Sequence, residues 1–233
     1  MSAAALSSAR GLALVTGAGR GIGRATALAL AARGLDVAVL GRTRENADRV
    51  AREVESKGGL ALPIACDVAD EAAVDRAIAA LPRVPSVVVH SAGIVERGHD
   101  VETTTTASFR RVLDVNLLGP FFVTRAVLPA MRAAKAGRIV FVGSISSTIG
   151  CAGVASYAAS KWGLVGFMKS VAEETRGSGL VVTAVLPGSV DTDMLVGSGF
   201  EPRMTADDVA RTIVHAALDA APAIHGSAIE MFG

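Results

Sequence analysis

Short apolar runs alternate with helical patterns along the whole chain, and this alternation restricts the fold more than any other feature. The runs are nearly free of polar residues, so they predict strands buried on both faces of a sheet. The predicted strands are Leu12 to Thr16, Val37 to Leu40, Ala61 to Ala65, Val87 to His90, Ile139 to Val142, Val181 to Leu186 and Ala228 to Met231. Such strands occur in parallel sheets that helices cover on both sides. The sequence therefore predicts an α/β fold with a doubly wound, parallel sheet of about seven strands.

Helical patterns fill the intervals between the predicted strands. They cover Ile22 to Arg33, Arg44 to Ser56, Glu71 to Ala80, Ala107 to Ala134, Ala155 to Arg176 and Ala206 to Ala220. The chain has 233 residues, which one α/β core can organise. We find no internal repeat, low-complexity tract or linker, and therefore expect a single domain over residues 1–233.

The composition favours a small-molecule ligand over a macromolecular or metal partner. The 23 Lys and Arg residues nearly balance the 22 Asp and Glu residues, so there is no electrostatic reason to expect nucleic acid or an anionic membrane. Cys66 and Cys151 lie far apart without metal-type spacing and are interpreted as reduced thiols. No metal site is predicted. Because residues 1–10 also lack the pattern of a secretory signal, we expect a cytoplasmic protein.

One uncharged stretch, residues 139–160, is long enough to raise the question of a membrane span. It contains six Ser or Thr residues and three glycines. These residues favour a buried strand followed by an active-site loop, and we expect no membrane segment.

A glycine-rich turn follows the first predicted strand directly. Gly17, Gly21 and Gly23 give the spacing G-x-x-x-G-x-G, and a helix is predicted to begin near Ile22. Glycines let the backbone approach a pyrophosphate, and the helix N-terminus offers unpaired N–H groups to its charge. An ordinary tight turn between strand and helix is the alternative, but the flanking elements favour a dinucleotide site on a Rossmann-type domain.

The end of the second strand indicates which dinucleotide binds. A carboxylate there would bind the ribose 2′-hydroxyl of NADH, but this position holds Gly41, followed by Arg42 and Thr43. Arg20, within the glycine loop, could face the same 2′-phosphate as Arg42. Asp36 precedes the predicted strand and does not favour NADH. We therefore predict NADPH/NADP+, although two arginines in loops are also common at surfaces.

Tyr157 and Lys161 form the strongest candidate for proton transfer. Tyr157 is the single tyrosine, and Lys161 lies four residues later in a predicted helix, so both occupy one face. A neighbouring ammonium favours the phenolate and so lowers the pKa of the phenol towards neutral pH. Ser144 ends the fifth strand, where its hydroxyl could bind a carbonyl oxygen. Ser146 and Ser147 are close rivals, and the sequence pattern leaves this choice open.

Together these residues resemble the short-chain dehydrogenase/reductase family over essentially the whole chain, with 3-oxoacyl-carrier-protein reductases as the most similar type. The motifs that carry the resemblance are Thr16 to Gly23, Asn116 in Val115-Asn116-Leu117, Ser144, Tyr157 to Lys161, and Pro187-Gly188. The resemblance implies that Ser144 polarises the carbonyl and Tyr157 donates the proton. It implies that Lys161 lowers the tyrosine pKa and holds the nicotinamide ribose, and that Asn116 holds a water of a proton relay.

The resemblance also implies further cofactor contacts. Asp67 and Val68 would contact adenine, and Val190 and Thr192 would hold the carboxamide. The complete predicted cofactor set is Gly17, Arg20, Gly21, Ile22, Gly23, Arg42, Thr43, Asp67, Val68, Ala92, Gly93, Tyr157, Lys161, Pro187, Gly188, Val190 and Thr192.

Two segments depart from the family pattern. The usual Asn-Asn-Ala-Gly appears as His90-Ser91-Ala92-Gly93, which retains backbone contacts but puts a side-chain link to the neighbouring strand in doubt. His90 is interpreted as a structural residue of a buried strand rather than a base. The segment from Gly188 to Thr205 is shorter than the family's substrate lid, so we expect a more open pocket.

The predicted activity is NADPH-dependent reduction of a ketone to a secondary alcohol. One candidate substrate is a 3-oxoacyl thioester on an acidic carrier protein, which Arg132, Lys135, Arg138 and Arg176 could bind, although such residues are ordinarily solvated surface. The alternatives are free small ketones, cyclic diketones or sterols, and, in another class, a non-catalytic NADP(H)-binding sensor. The resemblance implies a homodimer or homotetramer formed through the helices of residues 107–134 and 155–176.

Overall fold

The alternating pattern folds into a seven-stranded parallel sheet in the computed structural model, which describes residues 10–233. The strands of the sheet are β1 Leu12–Thr16, β2 Asp36–Gly41, β3 Ala61–Ala65, β4 Val87–His90, β5 Gly137–Val142, β6 Leu180–Pro187 and β9 Ala228–Met231. Their order across the sheet is β3-β2-β1-β4-β5-β6-β9. The predicted α/β, Rossmann-type fold is therefore confirmed, and its order reverses between β1 and β4, where such sheets bind ligands.

The strand bounds agree with the prediction to within two residues, with two differences. Asp36 is the first residue of β2 rather than a residue before it, and its fully buried carboxylate pairs with Arg83. It lies at the amino end of the strand, remote from the glycine loop, so it still does not act on the cofactor. The second difference is a separate two-stranded parallel pair, β7 Val190–Asp191 and β8 Met204–Thr205, which was not predicted.

Seven α-helices surround the sheet within the described residues. They are α1 Gly21–Ala32, α2 Arg44–Ser56, α3 Glu71–Ala79, α4 Thr106–Leu113, α5 Gly119–Ala134, α6 Ala155–Glu174 and α7 Ala206–Val214. The helix predicted over 107–134 is interrupted by a π-helical turn at Asp114–Leu118, and a second π-helical turn at His215–Asp219 ends α7. Pro120 has no N–H for the carbonyl of Asn116, so the α-helical pattern cannot continue unbroken there.

Alternating strand residues face two separate hydrophobic layers. In β1, Ala13 and Val15 face α1, α2 and α7, whereas Leu12 and Leu14 face α3, α5 and α6. All four side chains are fully buried. This burial fixes the register of the central strands, and it holds the loops after β1 and β4 side by side, because Thr16 pairs with His90.

The uncharged stretch 139–160 lies within the fold as predicted, forming most of β5, a short 3₁₀ turn at Ile145–Ser147 and the start of α6. A different segment, Thr106–Ala134, has the length and mean hydropathy (1.3) of a membrane span, with 39% of its most apolar window buried. A core helix of this length meets the same criterion, and α5 packs its apolar side against the sheet.

Candidate active site

A cleft of about 1010 Å³ opens where the carboxyl ends of the strands meet. Every residue of the predicted cofactor set lines it, and so do Ser144, Tyr157 and Lys161. The glycine loop after β1 and the proton-transfer residues of β5 and α6 therefore share one cavity. Asn116 alone among the predicted site residues does not line it.

Two positions of the glycine loop, Gly17 and Gly23, have no room for a side chain. Gly17 has φ +65°, and a Cβ there would lie 2.6 Å from the Cα of Ala92. A Cβ on Gly23 would lie 2.3 Å from the carbonyl oxygen of Gly17. The hydroxyl of Thr16 accepts hydrogen bonds of 3.2 Å from the N–H groups of Ser91 and Ala92. The Thr16 side chain in β1 thus links this strand to the loop after β4, although the family's usual asparagines after β4 are absent.

The two arginines assigned to the 2′-phosphate have different surroundings. Arg20 precedes α1 and pairs with Asp193 at 3.1 Å, with both side chains exposed. An ion pair between two exposed side chains is weak and leaves Arg20 able to turn towards a phosphate, so its shared role with Arg42 stays a prediction. Arg42 is exposed and forms no ion pair with any described residue. It lines both the main cleft and a neighbouring cavity of about 370 Å³ that Arg110 also lines.

The residues after β6 close the other side of the glycine loop. Gly188 donates its N–H to the carbonyl of Met231 at 2.8 Å, which ties the end of β6 to β9. A Cβ on Gly21 would lie 3.4 Å from the methyl group of Thr192. Val190 is buried in β7. These contacts bring the predicted carboxamide residues next to the glycine loop.

The structure distinguishes the three serines after β5. The Ser144 hydroxyl lies beside the phenol of Tyr157 and accepts a hydrogen bond of 3.1 Å from the N–H of Ser146. Ser147 is buried, and its hydroxyl accepts from the N–H of Ser144 at 3.3 Å, so it supports the turn. The geometry therefore favours Ser144 over Ser147 as the hydroxyl that meets a substrate, while Ser146 also lines the cleft.

Burial dominates the titration of both residues on α6. It raises the pKa of Tyr157, while the Ser144 hydroxyl and the charge of Arg97 oppose this effect. Burial lowers the pKa of Lys161 to about 8. The Lys161 ammonium donates to the carbonyl of Val142 at 2.8 Å and lies 5.7 Å from the centre of the tyrosine ring. The expected lowering of the Tyr157 pKa by Lys161 is therefore wrong for this structure.

Asn116 lies in the π-helical turn and is fully buried. Its Oδ1 accepts from the N–H of Ile94 at 2.8 Å, and its Nδ2 donates to the Ile94 carbonyl at 2.9 Å and to the Ser160 hydroxyl at 3.0 Å. Both amide hydrogens are thus used within the protein. Asn116 thereby joins the loop after β4 to α6, and its predicted part in holding a water of a proton relay stays a prediction.

His90 is a structural residue, as the sequence indicated. Its side chain is 1% exposed, stacks on Phe141 with 4.5 Å between ring centres, and shares a 3.0 Å hydrogen bond with Thr124. Burial lowers its pKa to about 3, so the ring is neutral at physiological pH. It does not line the cleft.

The motifs missed most residues at the substrate end of the cleft. That wall carries the side chains of Ile94, Val95, Arg97, Ile149, Cys151, Val154, Met194, Leu195 and Phe200. The signal available in the sequence was the apolar pair Ile94-Val95 just after Gly93, followed by Glu96 and Arg97. Loops that are distant in sequence form this wall, so no local pattern brings its members together.

Comparisons with known proteins agree with this geometry. A family model described as short chain dehydrogenase matches residues 11–199. The chain is 40% identical over 205 residues to a 3-oxoacyl-[acyl-carrier-protein] reductase of Synechocystis sp., covering 86% of this chain and 82% of that protein. It is 37% identical over 238 residues to a cis-4-hydroxycyclohexanecarboxylate dehydrogenase of Sinomonas cyclohexanicum, covering 95% of each. A solved 3-oxoacyl-[acyl-carrier protein] reductase of Brucella melitensis with bound NAD has a TM-score of 0.89 and 32% identity, covering 96% of this chain and 90% of that one.

Proposed function

Because the chain belongs to the short-chain dehydrogenase family and is an oxidoreductase acting on CH–OH and C=O groups, we propose that it reduces a ketone to a secondary alcohol with NADPH, with Tyr157 as proton donor. One observation carries this proposal: a single cleft contains both the glycine loop and the Ser144 and Tyr157 hydroxyls. A dinucleotide that lies along the cleft from the loop towards α6 would meet these hydroxyls.

The residues of the cleft fit a nicotinamide dinucleotide. A side chain on Gly17 would collide with the loop after β4, so the bare backbone there leaves room for a pyrophosphate at the start of α1. When bound, NADPH supplies the hydride that reduces the carbonyl carbon. The Brucella melitensis structure holds NAD, so the preference for NADPH depends on this chain's own Arg42, an unpaired cation at the end of β2. Gly41 leaves no carboxylate there to repel a 2′-phosphate.

The protein's own groups supply orientation and the proton. The Ser144 hydroxyl would hydrogen-bond the ketone oxygen and Tyr157 would protonate it, and the proximity of the two hydroxyls supports these roles. A raised pKa keeps Tyr157 protonated through neutral pH, as reduction requires. Lys161 would hold the nicotinamide ribose, and its position at the cleft wall, bonded to the Val142 carbonyl, supports this role. Asn116 fixes the loop after β4 relative to α6 and so acts as a positioning residue.

The surface charge favours a free ketone over a thioester bound to an acidic carrier protein as the substrate. Of the four basic residues considered for docking, Arg132 bonds the Glu174 carbonyl at 2.8 Å and Arg176 pairs with Glu173. Arg138 donates to the carbonyl of Ala216 at 3.2 Å. The carboxylates of Glu174, 3.8 Å from Arg132, and of Glu173 reduce the positive charge that an acidic carrier would meet, whereas Arg138 keeps its charge. The similarity to the Sinomonas cyclohexanicum enzyme makes a cyclic hydroxy acid, or the matching ketone, a reasonable substrate class.

Self-association is part of the proposal. Leu118 and Phe121 near the start of α5 and Trp162 on α6 are large apolar side chains that remain exposed in the single chain. They lie on the two helices for which the family resemblance implies a dimer contact. A cytoplasmic location stays a prediction from the sequence.

The Tyr157→Phe variant tests the proposal. We expect ketone reduction, followed by the loss of reduced-nicotinamide absorbance, to fall by at least about 100-fold, the usual contribution of general acid catalysis. NADPH binding, followed by fluorescence titration, should be retained. Unchanged turnover would remove Tyr157 as donor, and absence of turnover in the wild type across a ketone panel, with NADPH bound, would favour the non-catalytic sensor.

A further inference from the structure

Arg97 stands out among the charged side chains of the cleft. It is half-buried and lines the substrate end, and it forms no ion pair or hydrogen bond with any other described residue. Arg20 pairs with Asp193, whereas Arg24 and Arg49 share the one carboxylate of Glu53. Arg42 is also unpaired, but it lies at the end of β2, where it is assigned to the 2′-phosphate. At the substrate end of the cleft, Arg97 is therefore a cation whose charge a bound anionic ligand would balance.

The nearest acidic residue in sequence is already engaged. Glu96 accepts a short hydrogen bond from Ser108 and lies 3.9 Å from Arg111, so both carboxylate oxygens are directed to α4. Asp193 is taken by Arg20 on the other side of the cleft, and Asp67 accepts from the N–H of Ala69. None of these carboxylates is bonded to Arg97.

Arg97 faces the same space as the proton donor. Its positive charge favours the phenolate of Tyr157 and is the smallest of the three influences on the pKa of that group, after burial and the Ser144 hydroxyl. Both side chains line one cavity, whose remaining wall at this end is mainly apolar and includes Ile94, Ile149 and Phe200. A ligand that fills this space thus meets an apolar surface, one proton donor and one guanidinium.

From this arrangement we infer that the preferred substrate is an anionic ketone, an oxo acid whose apolar body fills the cleft and whose carboxylate binds Arg97. A guanidinium binds a carboxylate through two parallel hydrogen bonds, which would fix the distance between the carboxylate and the reacting carbonyl. Arg97 is then a specificity-determining residue. The inference rests on the proposed function, since it names the substrate class of the same site.

The test compares an oxo acid with its neutral analogue of the same shape. The probes are 4-oxocyclohexanecarboxylate and 4-oxocyclohexanecarboxamide, with kcat/KM measured for the wild type, Arg97→Gln and Arg97→Lys. We expect Arg97→Gln to lose about 10- to 100-fold on the carboxylate, the usual contribution of hydrogen bonds to a charged group. The amide should change less than about 3-fold, and Arg97→Lys should be intermediate. Arg52→Gln removes an exposed, unpaired arginine of α2 remote from the cleft and should leave both values unchanged.

A binding measurement keeps the inference testable apart from turnover. Calorimetry with NADP+ present should show cyclohexanecarboxylate binding at least about 10-fold more weakly to Arg97→Gln than to the wild type. The cyclohexanecarboxamide affinity should not change. An equal effect of Arg97→Gln on acid and amide, or no effect on either, overturns the inference while ketone reduction stands. Binding of pantetheine 4′-phosphate that depends on Arg97, with oxo-acid binding that does not, also overturns it, because the anion recognised would be the phosphate of a carrier arm.

Discussion

Replacing Lys161 by Met is expected to stabilise the folded protein at neutral pH while removing activity. Lys161 is 5% exposed, and burial lowers its pKa from 10.5 to about 8. At about 1.4 kcal/mol per pH unit, keeping the ammonium buried at pH 7 costs about 3 kcal/mol. The variant also loses the hydrogen bond to the Val142 carbonyl, which is worth about 1 kcal/mol. The expected net gain in the free energy of unfolding is therefore about 2 kcal/mol.

The pH dependence gives this prediction its sign. Between about pH 8 and pH 10.5 the unfolded chain holds the Lys161 proton and the folded chain does not, so wild-type stability rises with pH in this window. Below about pH 8 both states are protonated, and the cost is fully present. At pH 9.5 the cost has fallen to about 1 kcal/mol and offsets the lost hydrogen bond. The variant and the wild type should then be equally stable.

The assay is urea unfolding at pH 7 and pH 9.5, followed by far-ultraviolet circular dichroism at one protein concentration. Lys169→Met is the matched control, because Lys169 lies exposed on the same helix. It should change stability by less than about 0.5 kcal/mol at either pH. A Lys161→Met protein that is less stable than the wild type at pH 7, or a difference that does not change with pH, would refute the reasoning.

Three further predictions concern the cofactor site and the association surface. Gly17→Ala should destabilise the protein by about 1–3 kcal/mol and abolish NADPH binding, since φ is +65° and the Cβ has no room. Gly58→Ala is the control, because it introduces the same backbone strain (φ +82°) at a position with open space around it. It should keep NADPH binding in the same titration. Arg42→Gln should weaken NADPH binding about 10-fold or more and leave NADH binding unchanged, because only NADPH carries the 2′-phosphate that Arg42 would bind. An equal loss for both cofactors would contradict this role of Arg42. The proposed self-association predicts that the wild type sediments as an oligomer in analytical ultracentrifugation and that Trp162→Asp sediments as a monomer with unchanged secondary structure. Val84→Asp, at an exposed apolar residue outside these helices, should sediment like the wild type.

The sequence predicted the central fold because each strand is apolar on both faces, so its burial could be recognised without knowing which helix covers it. Leu12–Thr16 and Val87–His90 have the predicted bounds. The glycine turn was equally local, since its strand, its glycines and its helix are contiguous. Positions that depend only on neighbouring residues in the sequence were therefore predicted correctly. One example is the location of Tyr157 and Lys161 one turn apart on α6.

The sequence could not show the distant partners that engage several predicted site residues. Arg20 is bound by Asp193, which lies 173 positions later, and no local pattern indicates this pair. The amide of Asn116 is used by Ile94 and Ser160. The pKa of Tyr157 depends on burial by several loops, which outweighs the helical neighbour that the spacing emphasised. Each of these outcomes depends on tertiary geometry rather than on spacing.

The π-helical turn between α4 and α5 holds one residue more than an α-helical turn over nearly the same arc. Deleting one residue from Asp114–Leu118 would therefore let the two helices join as a regular α-helix with little rotation of α5. Val123, Val127 and Met131 would stay in the apolar layer that they fill. The deletion would instead remove the wide turn that carries Asn116, and with it the side-chain link between the loop after β4 and α6.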